Sequence, residues 1–508
     1  MRRGPFLQRP ARRAFATSAP VHRKLPAPDL HWHVEDSTVS YARLKQPWTS
    51  NESALLRAPS LIPASVLEAT RQLLPQLQLD RGRDSVDGMP MFQVQFVAQG
   101  RFVHDQLAAV FRESLLHRVL PLLRRSRLSP AGVAGPDDLV LCEALLRVYD
   151  EDQRRLHPAH YDADAFLTAM FEVDTLEVAP PAFYIQAGAH TSSRVPIDLA
   201  PGDLVAHSYD IQHGVQVAKG RRCSVILWFT DNQQACVDKS RPWYRAAAAT
   251  GDVAAILNLA MDLRESQPET ARALMMQAAG SGHFVAQNEL GVEHLTRYLD
   301  DPTLGGELDE AERWLTASAS QGFWRAEDNM ALVCAERGQE GEALAWLRRS
   351  AEQKADPEQA FQLGMHHWRG SWSAERDVES VREWIGHASA MGHPAAQLAM
   401  AKLAVTKEEM WLWLRRAAVQ GYVDAEVVTG TSTRVSHGPA LEDLLQVAVN
   451  AEGEVHAIEL PPLRLLDGPA ARASSTSGSA RSSRKHRGAR RKRSRRPRTW
   501  PDAAHDDR

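Results

Sequence analysis

One short phrase recurs through the second half of the chain, and it constrains the fold more than any other feature. Each copy has a cluster of small residues, then a glycine, then an alanine four positions later. The pairs are Gly251 and Ala255, Gly282 and Ala286, Gly322 and Ala326, Gly392 and Ala396, and Gly421 and Ala425. A weaker copy, "SAEQKADPEQAFQLG", fills the longest gap. Repeats of this length predict a stack of helix pairs in which small residues allow close packing.

A tryptophan lies ahead of several of these clusters and is predicted to fill the groove between helix pairs. The four are Trp314, Trp346, Trp384 and Trp413. The phrase resembles the Sel-like subclass of tetratricopeptide repeats over roughly residues 242–428. Such arrays usually bind other proteins, so the resemblance implies a docking surface for a protein substrate or an adaptor partner. A purely structural helical domain is the alternative.

The two ends of the chain are basic, whereas the residues between them are acidic. Residues 1–28 hold seven Lys and Arg, residues 481–498 hold eleven, and neither stretch holds an acid, although the whole chain has a net charge of −3. An acidic folded body is a poor platform for nucleic acid, so no nucleic-acid partner is expected for it. No apolar run approaches the length of a membrane span.

The chain ends also bear on localisation, which the sequence leaves open. The start, "MRRGPFLQRPARRAFATSAPVHRK", lacks the apolar core of a secretory signal and is typical of a mitochondrial or plastid transit peptide. A disordered arginine-rich start is the alternative. The basic tail is low in complexity and suits nuclear import or anion binding. An intracellular compartment is expected, with the nucleus as the alternative to an organelle.

The cysteines argue against a disulfide scaffold and against a cysteine-based zinc finger. They lie far apart and include no Cys-x-x-Cys; the four are Cys142, Cys223, Cys236 and Cys334.

The amino-terminal third reads as a mixed, largely helical region. Five prolines predict an irregular course up to residue 60, and helices are predicted over 64–77 and through "FVHDQLAAVFRESLLHRVLPLLRRS". "MFQVQFVAQG" alternates and predicts a strand.

The pattern changes again at about residue 138. Short β-rich segments follow one another between turn signals: "LVLCEALLRVYD", "AFLTAMFEV", "PAFYIQAG", "DLVAHSYDIQHGVQV" and "RCSVILWFTD". Strands at this spacing predict a barrel or jelly roll. The expected fold is therefore multidomain α+β. Its predicted segments are a disordered or transit stretch (1–28), a support region (29–137), a jelly-roll domain (138–240), an all-α repeat solenoid (242–430), an irregular region (431–470) and a disordered basic tail (471–508).

A candidate metal pair lies in "HPAHYDADAF", where His160 and Asp162 stand two positions apart. On a strand this spacing puts both side chains on one face, where they can bind one ion together. Two histidines and one carboxylate form the non-haem Fe(II) oxygenase pattern, so a second histidine is needed. His157 is a competing ligand, but strand parity predicts that it points away, as a supporting or surface residue.

The segment "HSYDIQHGVQVAKGRRCSVILWF" offers two candidates for the third ligand, His207 and His213. If it folds as a hairpin turning at Lys219–Gly220, His213 faces Ile226, and Arg222 lies on the metal face about 14 Å along the strand. A five-carbon dicarboxylate and a long arginine side chain fill that distance. His213 is therefore the predicted ligand, with His207 as a supporting or packing residue. A surface position for Arg222 at the barrel edge is the alternative.

This constellation resembles the prolyl 4-hydroxylase-type Fe(II)/2-oxoglutarate dioxygenases, over roughly residues 138–232. The resemblance implies a double-stranded β-helix, Fe(II) held by His160, Asp162 and His213, and 2-oxoglutarate held by Arg222 and Tyr149. It also implies O2 as oxidant, hydroxylation of a C–H bond of a protein or peptide, and ascorbate as a reductant. No catalytic residue beyond the metal site is expected. Tyr149 as an ordinary core tyrosine is the alternative to its pocket role.

The chain departs from the family at three places. "PPAFYIQAG" replaces the usual Gly-Gly-Glu-Thr-x-Phe stretch between the metal arms, and Arg222-Cys223 replaces the usual Arg-Tyr after the distal histidine. Glu172 stands where some members place a tyrosine near the co-substrate. These departures weaken the transfer of a prolyl substrate.

Two other functions compete with the dioxygenase. One is a non-catalytic adaptor with a degenerate barrel, in which only the repeats act. The other is a zinc site built from His207, Asp210 and His213 with no redox chemistry, which leaves Arg222 without a role.

Overall fold

The computed structural model describes residues 27–420, except residues 29, 37, 50–51, 81, 127, 129–137, 151, 177–180 and 218. The transit-peptide, irregular-region and basic-tail predictions, and the repeat copy at Gly421, fall outside the described residues or almost wholly so.

The first half of the described chain forms strands, with short helices before residue 126 and after residue 232. The strands are β1 His33–Asp36, β2 Val39–Lys45, β3 Glu52–Ala58, β4 Gln93–Ala98, β5 Arg101–Phe102, β6 Val140–Tyr149, β7 Leu156–His160, β8 Leu167–Leu176, β9 Phe183–Gln186, β10 Arg194–Pro196, β11 Leu204–Ser208, β12 Gln212–Gln216 and β13 Arg221–Thr230. Nine form one sheet in the order β1-β2-β3-β11-β8-β13-β6-β4-β5, and four form a second in the order β10-β9-β12-β7. Neighbouring strands in both sheets run antiparallel.

The second half is helical, and between residues 242 and 419 each helix packs against the next. The helices of the whole described chain are α1 Ala64–Leu73, α2 Asp105–Ser114, α3 Leu120–Arg125, α4 Gln233–Asp238, α5 Pro242–Ala249, α6 Val253–Asp262, α7 Pro268–Gly280, α8 Phe284–Asp300, α9 Gly305–Ser320, α10 Trp324–Glu336, α11 Glu340–Glu352, α12 Pro357–Arg369, α13 Val378–Ala390, α14 Pro394–Leu403 and α15 Lys407–Val419. A 3₁₀ turn, Leu74–Gln76, extends α1, and a π-helical segment, Leu115–Val119, joins α2 to α3.

The repeated phrase marks the turn between one helix and the next. Gly251, Gly282, Gly322 and Gly392 each lie in such a turn with φ between +87° and +91°, a backbone conformation that glycine adopts without a Cβ penalty. The alanines four positions later lie inside the following helices and are fully buried. The phrase is therefore a left-handed turn followed by a close helix contact.

The expectation of an irregular course up to residue 60 is wrong, because β1, β2 and β3 lie there. The prolines do not interrupt these strands: Pro47 lies in the connection between β2 and β3, and Pro59 follows β3. β3 also pairs with β11, so this amino-terminal segment completes the large sheet beside the strands of the predicted jelly-roll region.

The alternation of side chains along β13 explains how the large sheet forms a hydrophobic core on one face. On β13 the side chains of Val225, Leu227 and Phe229 are buried in a cluster with Phe111 of α2. Arg222, Ile226 and Trp228 alternate with them and face a cavity on the other side of the sheet. One face of the sheet thus builds a core against helices and the other builds a site.

The cysteines differ from expectation in one respect. Cys142 of β6 and Cys236 of α4 form a disulfide, while Cys223 and Cys334 are free and buried. The two cysteines are 94 positions apart in sequence, which hides the pair from any argument based on spacing.

The helices pack directly against the β-rich half. The ring of Trp48 lies 4.8 Å from that of His283 and 5.1 Å from that of Phe284, and the Tyr161 hydroxyl lies 3.2 Å from His283 Nε2. Farther along, the backbone N–H of Thr191 donates to Gln353 at 3.2 Å. The helical array therefore uses part of its own surface to hold the sheets.

Within the described ranges, no helix combines the length and the apolar composition that crossing a lipid bilayer requires.

Candidate metal centre

Two neighbouring strands of the small sheet bring the predicted metal ligands together. His160 ends β7, His213 lies directly opposite it on β12, and Asp162 follows two residues after His160. The Nε2 atoms of both histidines lie 3.4 Å from the Asp162 carboxylate, one at each oxygen. One donor atom from each residue lies within 4.8 Å of the other two. This spacing suits three ligands of one ion.

The surroundings hold these donors in the form that binds a metal. Burial lowers the pKa of His213 well below its ordinary value, despite the opposing charge of Asp162. Burial would raise the pKa of Asp162, but the proximity of His213 and His160 and the hydrogen bond from Thr168 outweigh it, so this pKa lies well below its ordinary value. Neutral imidazole and ionised carboxylate are the forms that coordinate metals.

Hydrogen bonds fix the orientation of two of the three side chains. Thr168 Oγ1 donates to Asp162 Oδ2 at 2.6 Å. His160 Nδ1 lies 2.9 Å from the carbonyl oxygen of Pro158, which only accepts, so this nitrogen carries the proton and Nε2 is left for the ion. His213 Nδ1 is buried and has no hydrogen-bond partner among the described residues.

His157 lies beside the site, not on the opposite face as predicted. Its ring centroid is 4.1 Å from that of His160, and its Nε2 is 3.3 Å from Asp84 Oδ1. The cause is an irregularity in strand pairing: His213 pairs with His160, but Val215 pairs with His157, so β7 has one extra residue. A bulge of this kind reverses the parity of the side chains beyond it.

The loop before β4 supports His157 through a buried charge network that the sequence did not reveal. Asp84 lies 3.0 Å from Arg154 and 3.4 Å from Arg147, and Asp87 lies 2.6 Å from Arg154. Attraction to His157 and Arg154 overcomes the effect of burial and lowers the pKa of Asp84. Asp84 lies 73 residues from His157, and no local motif links them.

Arg222 lines the same cavity as the metal triad, but it does not reach it through a hairpin. β12 pairs with β7 and β9, whereas β13 pairs with β6 and β8, so His213 and Ile226 are not cross-strand partners. The chain passes from the small sheet to the large sheet between β12 and β13. The parity part of the prediction holds, since Arg222 faces the cavity.

Tyr149 is the cross-strand partner of Arg222 on β6. The Arg222 guanidinium carbon lies 5.8 Å from the centre of the Tyr149 ring, and both side chains are almost fully buried. Both line the cavity that holds the triad.

A second carboxylate, Glu172 of β8, pairs with Arg222. Its Oε1 accepts from Arg222 Nε at 2.8 Å and from Nη2 at 2.5 Å. Arg222 Nη1, Glu172 Oε2 and Ser224 Oγ are buried and have no hydrogen-bond partner among the described residues. Ser224 is a polar residue that the sequence reasoning missed. Its place two positions after Arg222, on the same strand face, was the available signal.

His207 and Asp210 do not form the alternative zinc site with His213. His207 Nδ1 lies 2.9 Å from the carbonyl oxygen of Ser208, and the Asp210 carboxylate accepts from Ser53 and Ser208. In the described part of the chain, the group that meets the geometry for an ion is His160, Asp162 and His213. His207 packs against the site, with its ring centroid 4.4 Å from that of His213.

The cavity around the site has a volume of about 910 Å³ and extends to the first helices of the array. Tyr244 of α5 and Asn258, Met261 and Asp262 of α6 line part of it. Asn258 Nδ2 is buried and has no partner among the described residues. The walls of the cavity thus come from both halves of the molecule.

No protein-family model matches the chain, and no curated protein matches it. Solved structures give weak likenesses, each covering about a third of the chain. The epimerase SnoN from nogalamycin biosynthesis, a non-heme alpha ketoglutarate dependent enzyme, is 19% identical over 35% of this chain and 77% of its own, with a TM-score of 0.27. A Pseudomonas putida prolyl-4-hydroxylase is 16% identical over 34% and 91%, with a TM-score of 0.22.

The chain also has a weak likeness to a solved structure with another kind of fold. The protective antigen c5321 of uropathogenic Escherichia coli, which displays an SLR fold, is 19% identical over 37% of this chain and 44% of its own, with a TM-score of 0.30. These scores are too low to support an argument about activity, which depends on the site itself.

Proposed function

We propose that the chain is an Fe(II)- and 2-oxoglutarate-dependent dioxygenase that hydroxylates a C–H bond. One observation carries the proposal: two histidines and a carboxylate lie together in a cavity that also contains a buried arginine, Arg222. Such a set leaves open positions on one side of an ion, the pattern of non-haem Fe(II) oxygenases. The three donors lie in buried surroundings, and the lowered pKa values of Asp162 and His213 favour the ionised carboxylate and the neutral imidazole, which fits a ligand set for this metal.

The residues have separate roles in this proposal. His160, Asp162 and His213 hold the iron, while Arg222 and Tyr149 receive the far end of the co-substrate. When bound, Fe(II) with 2-oxoglutarate and O2 supplies the oxidant for hydroxylation. Thr168 keeps Asp162 in place, and the buried walls exclude water from the reacting groups.

The finer parts of the proposal concern fold and substrate. The two sheets form a double-stranded β-helix, and the helices from α5 onward form a Sel-like solenoid. The substrate is a protein or peptide, with a prolyl side chain as the family precedent. The array recruits it, which is supported by the residues of α5 and α6 that line the cavity. Ascorbate acts as the reductant.

The test uses the full chain under anaerobic conditions and needs no knowledge of the substrate. Chelation of Fe(II) by a 2-oxo acid produces a visible charge-transfer band. The wild type is expected to develop this band with Fe(II) and 2-oxoglutarate, and to form succinate when O2 is admitted. The Asp162→Ala variant is expected to do neither. A folded wild type that binds no iron contradicts the proposal and leaves the adaptor function.

A further inference from the structure

The pairing of Arg222 with Glu172 changes what the co-substrate pocket can accept. Both side chains are almost fully buried, with exposures of 1% and 2%, and they lie on adjacent strands of the large sheet. A single carboxylate oxygen takes two of the guanidinium N–H groups, at 2.8 Å and 2.5 Å. The positive charge expected to bind a dicarboxylate is therefore already balanced.

A second carboxylate at Arg222 would meet an unfavourable charge arrangement. It would add a negative charge beside that of Glu172 in a buried region, where like charges interact strongly. No further cation is hydrogen-bonded to this pair among the described residues: the remaining close contacts of Arg222 are with Met170 Sδ at 3.0 Å and with the ring of Tyr149. The net charge of the Arg222–Glu172 pair is therefore near zero.

The polar atoms that remain at the pair suit an uncharged group. Arg222 Nη1 offers a donor, Glu172 Oε2 offers an acceptor, and the Ser224 hydroxyl offers either; each is buried and without a partner in the described structure. A carboxylate satisfies the donors but repels the acceptor. An uncharged tail avoids that repulsion.

From these contacts we infer that Glu172 determines co-substrate specificity, so that the pocket binds a 2-oxo acid with an uncharged tail less than tenfold more weakly than 2-oxoglutarate, or more tightly than it. The inference rests on the proposed oxygenase function and narrows its co-substrate class. Glu172 contacts neither the metal ligands nor the site of oxidation; it acts through the charge of Arg222.

The experiment measures binding and needs no turnover. Calorimetry on the Mn(II)-loaded full chain compares 2-oxoglutarate with 2-oxopentanoate, which has the same carbon chain without the second carboxylate. In the wild type, 2-oxoglutarate is expected to bind less than tenfold more tightly than 2-oxopentanoate. A preference of tenfold or more for 2-oxoglutarate in the wild type overturns the inference and leaves the proposed function standing. Binding of Mn(II) without binding of either acid overturns both.

Variants then test the residue itself. Glu172→Gln keeps a hydrogen-bond acceptor for Arg222 but removes the charge, and it is expected to tighten 2-oxoglutarate at least tenfold while leaving 2-oxopentanoate within threefold. The matched control is Glu143→Gln, which changes a carboxylate that lines the cavity containing Arg222 and contacts Gln95 at 3.4 Å. An equal gain in both variants, or none in Glu172→Gln, counts against the inference. If Glu172→Gln does not fold, the wild-type comparison decides alone.

Discussion

His213 and His160 face each other across the antiparallel strands β12 and β7, and the Nε2 atom of each lies 3.4 Å from the Asp162 carboxylate. The backbone pairing of the small sheet thus places the two histidine ligands side by side, with Asp162 two residues beyond His160. Preorganised ligands lose little conformational entropy on binding, so we expect metal affinity to depend strongly on the residues that fix their orientation.

Asp84 is expected to matter for metal affinity although it contacts no ligand. Its carboxylate holds His157, whose ring packs against that of His160. Asp84→Asn should weaken Mn(II) binding roughly tenfold, because loss of a supporting partner lets a ligand reorient. Calorimetry with Asp80→Asn, an exposed carboxylate of the same region, provides the control. Equal affinity in the two variants would show that the network has no part in metal binding.

Alanine substitutions at two glycines in equivalent turns test the contact between the helical array and the sheets. Gly322 and Gly251 have φ of +89° and +87°, but a Cβ on Gly322 would lie 2.8 Å from His190 Cβ, whereas a Cβ on Gly251 would meet nothing within 4 Å. Each change to alanine should lower the free energy of unfolding by about 1 kcal/mol, because alanine is disfavoured in the left-handed backbone conformation. Gly322→Ala should cost about 1–3 kcal/mol more, from overpacking.

Urea unfolding of the two glycine variants measures this difference in the free energy of unfolding. Equal losses would mean that the array and the sheets do not pack in solution as described here.

His283, which packs against Trp48 where the helical array meets the sheets, makes the stability of the native protein sensitive to pH. Burial lowers the pKa of His283 to about 3. As pH falls below about 6.5, the unfolded chain takes up a proton that the native protein does not, so native stability decreases by about 1.4 kcal/mol from pH 7.5 to 5.5. His283→Phe keeps an aromatic ring against Trp48 and should reduce the pH dependence by that amount. His117→Gln, at an exposed position, should leave the wild-type dependence unchanged.

The helical phrase and the strand-rich middle follow from sequence because they are local patterns. Gly322 and Ala326 identify a turn and a helix contact without any knowledge of the tertiary fold. The orientation of Arg222 toward the cavity follows from the alternation of side chains along one strand. These inferences need only the periods of helices and strands.

Features that depend on strand pairing between distant segments could not be predicted from the sequence. The sequence selected His213 over His207 through a hairpin that does not form; the two histidines differ instead because β11 and β12 belong to different sheets. The bulge in β7 that turns His157 toward His160, and the approach of Glu172 to Arg222, likewise depend on register, which alternation alone does not specify.

Metal titration of three proteins tests the central claim most directly. Anaerobic calorimetry with Fe(II) compares the wild type, His213→Ala and His207→Ala. We predict that the wild type binds about one ion per chain, that His213→Ala loses this binding, and that His207→Ala retains it, as expected for a site that needs all its ligands. Retention of the ion by His213→Ala together with its loss in His207→Ala would contradict the ligand set. A folded wild type that binds no ion would contradict the metal centre itself.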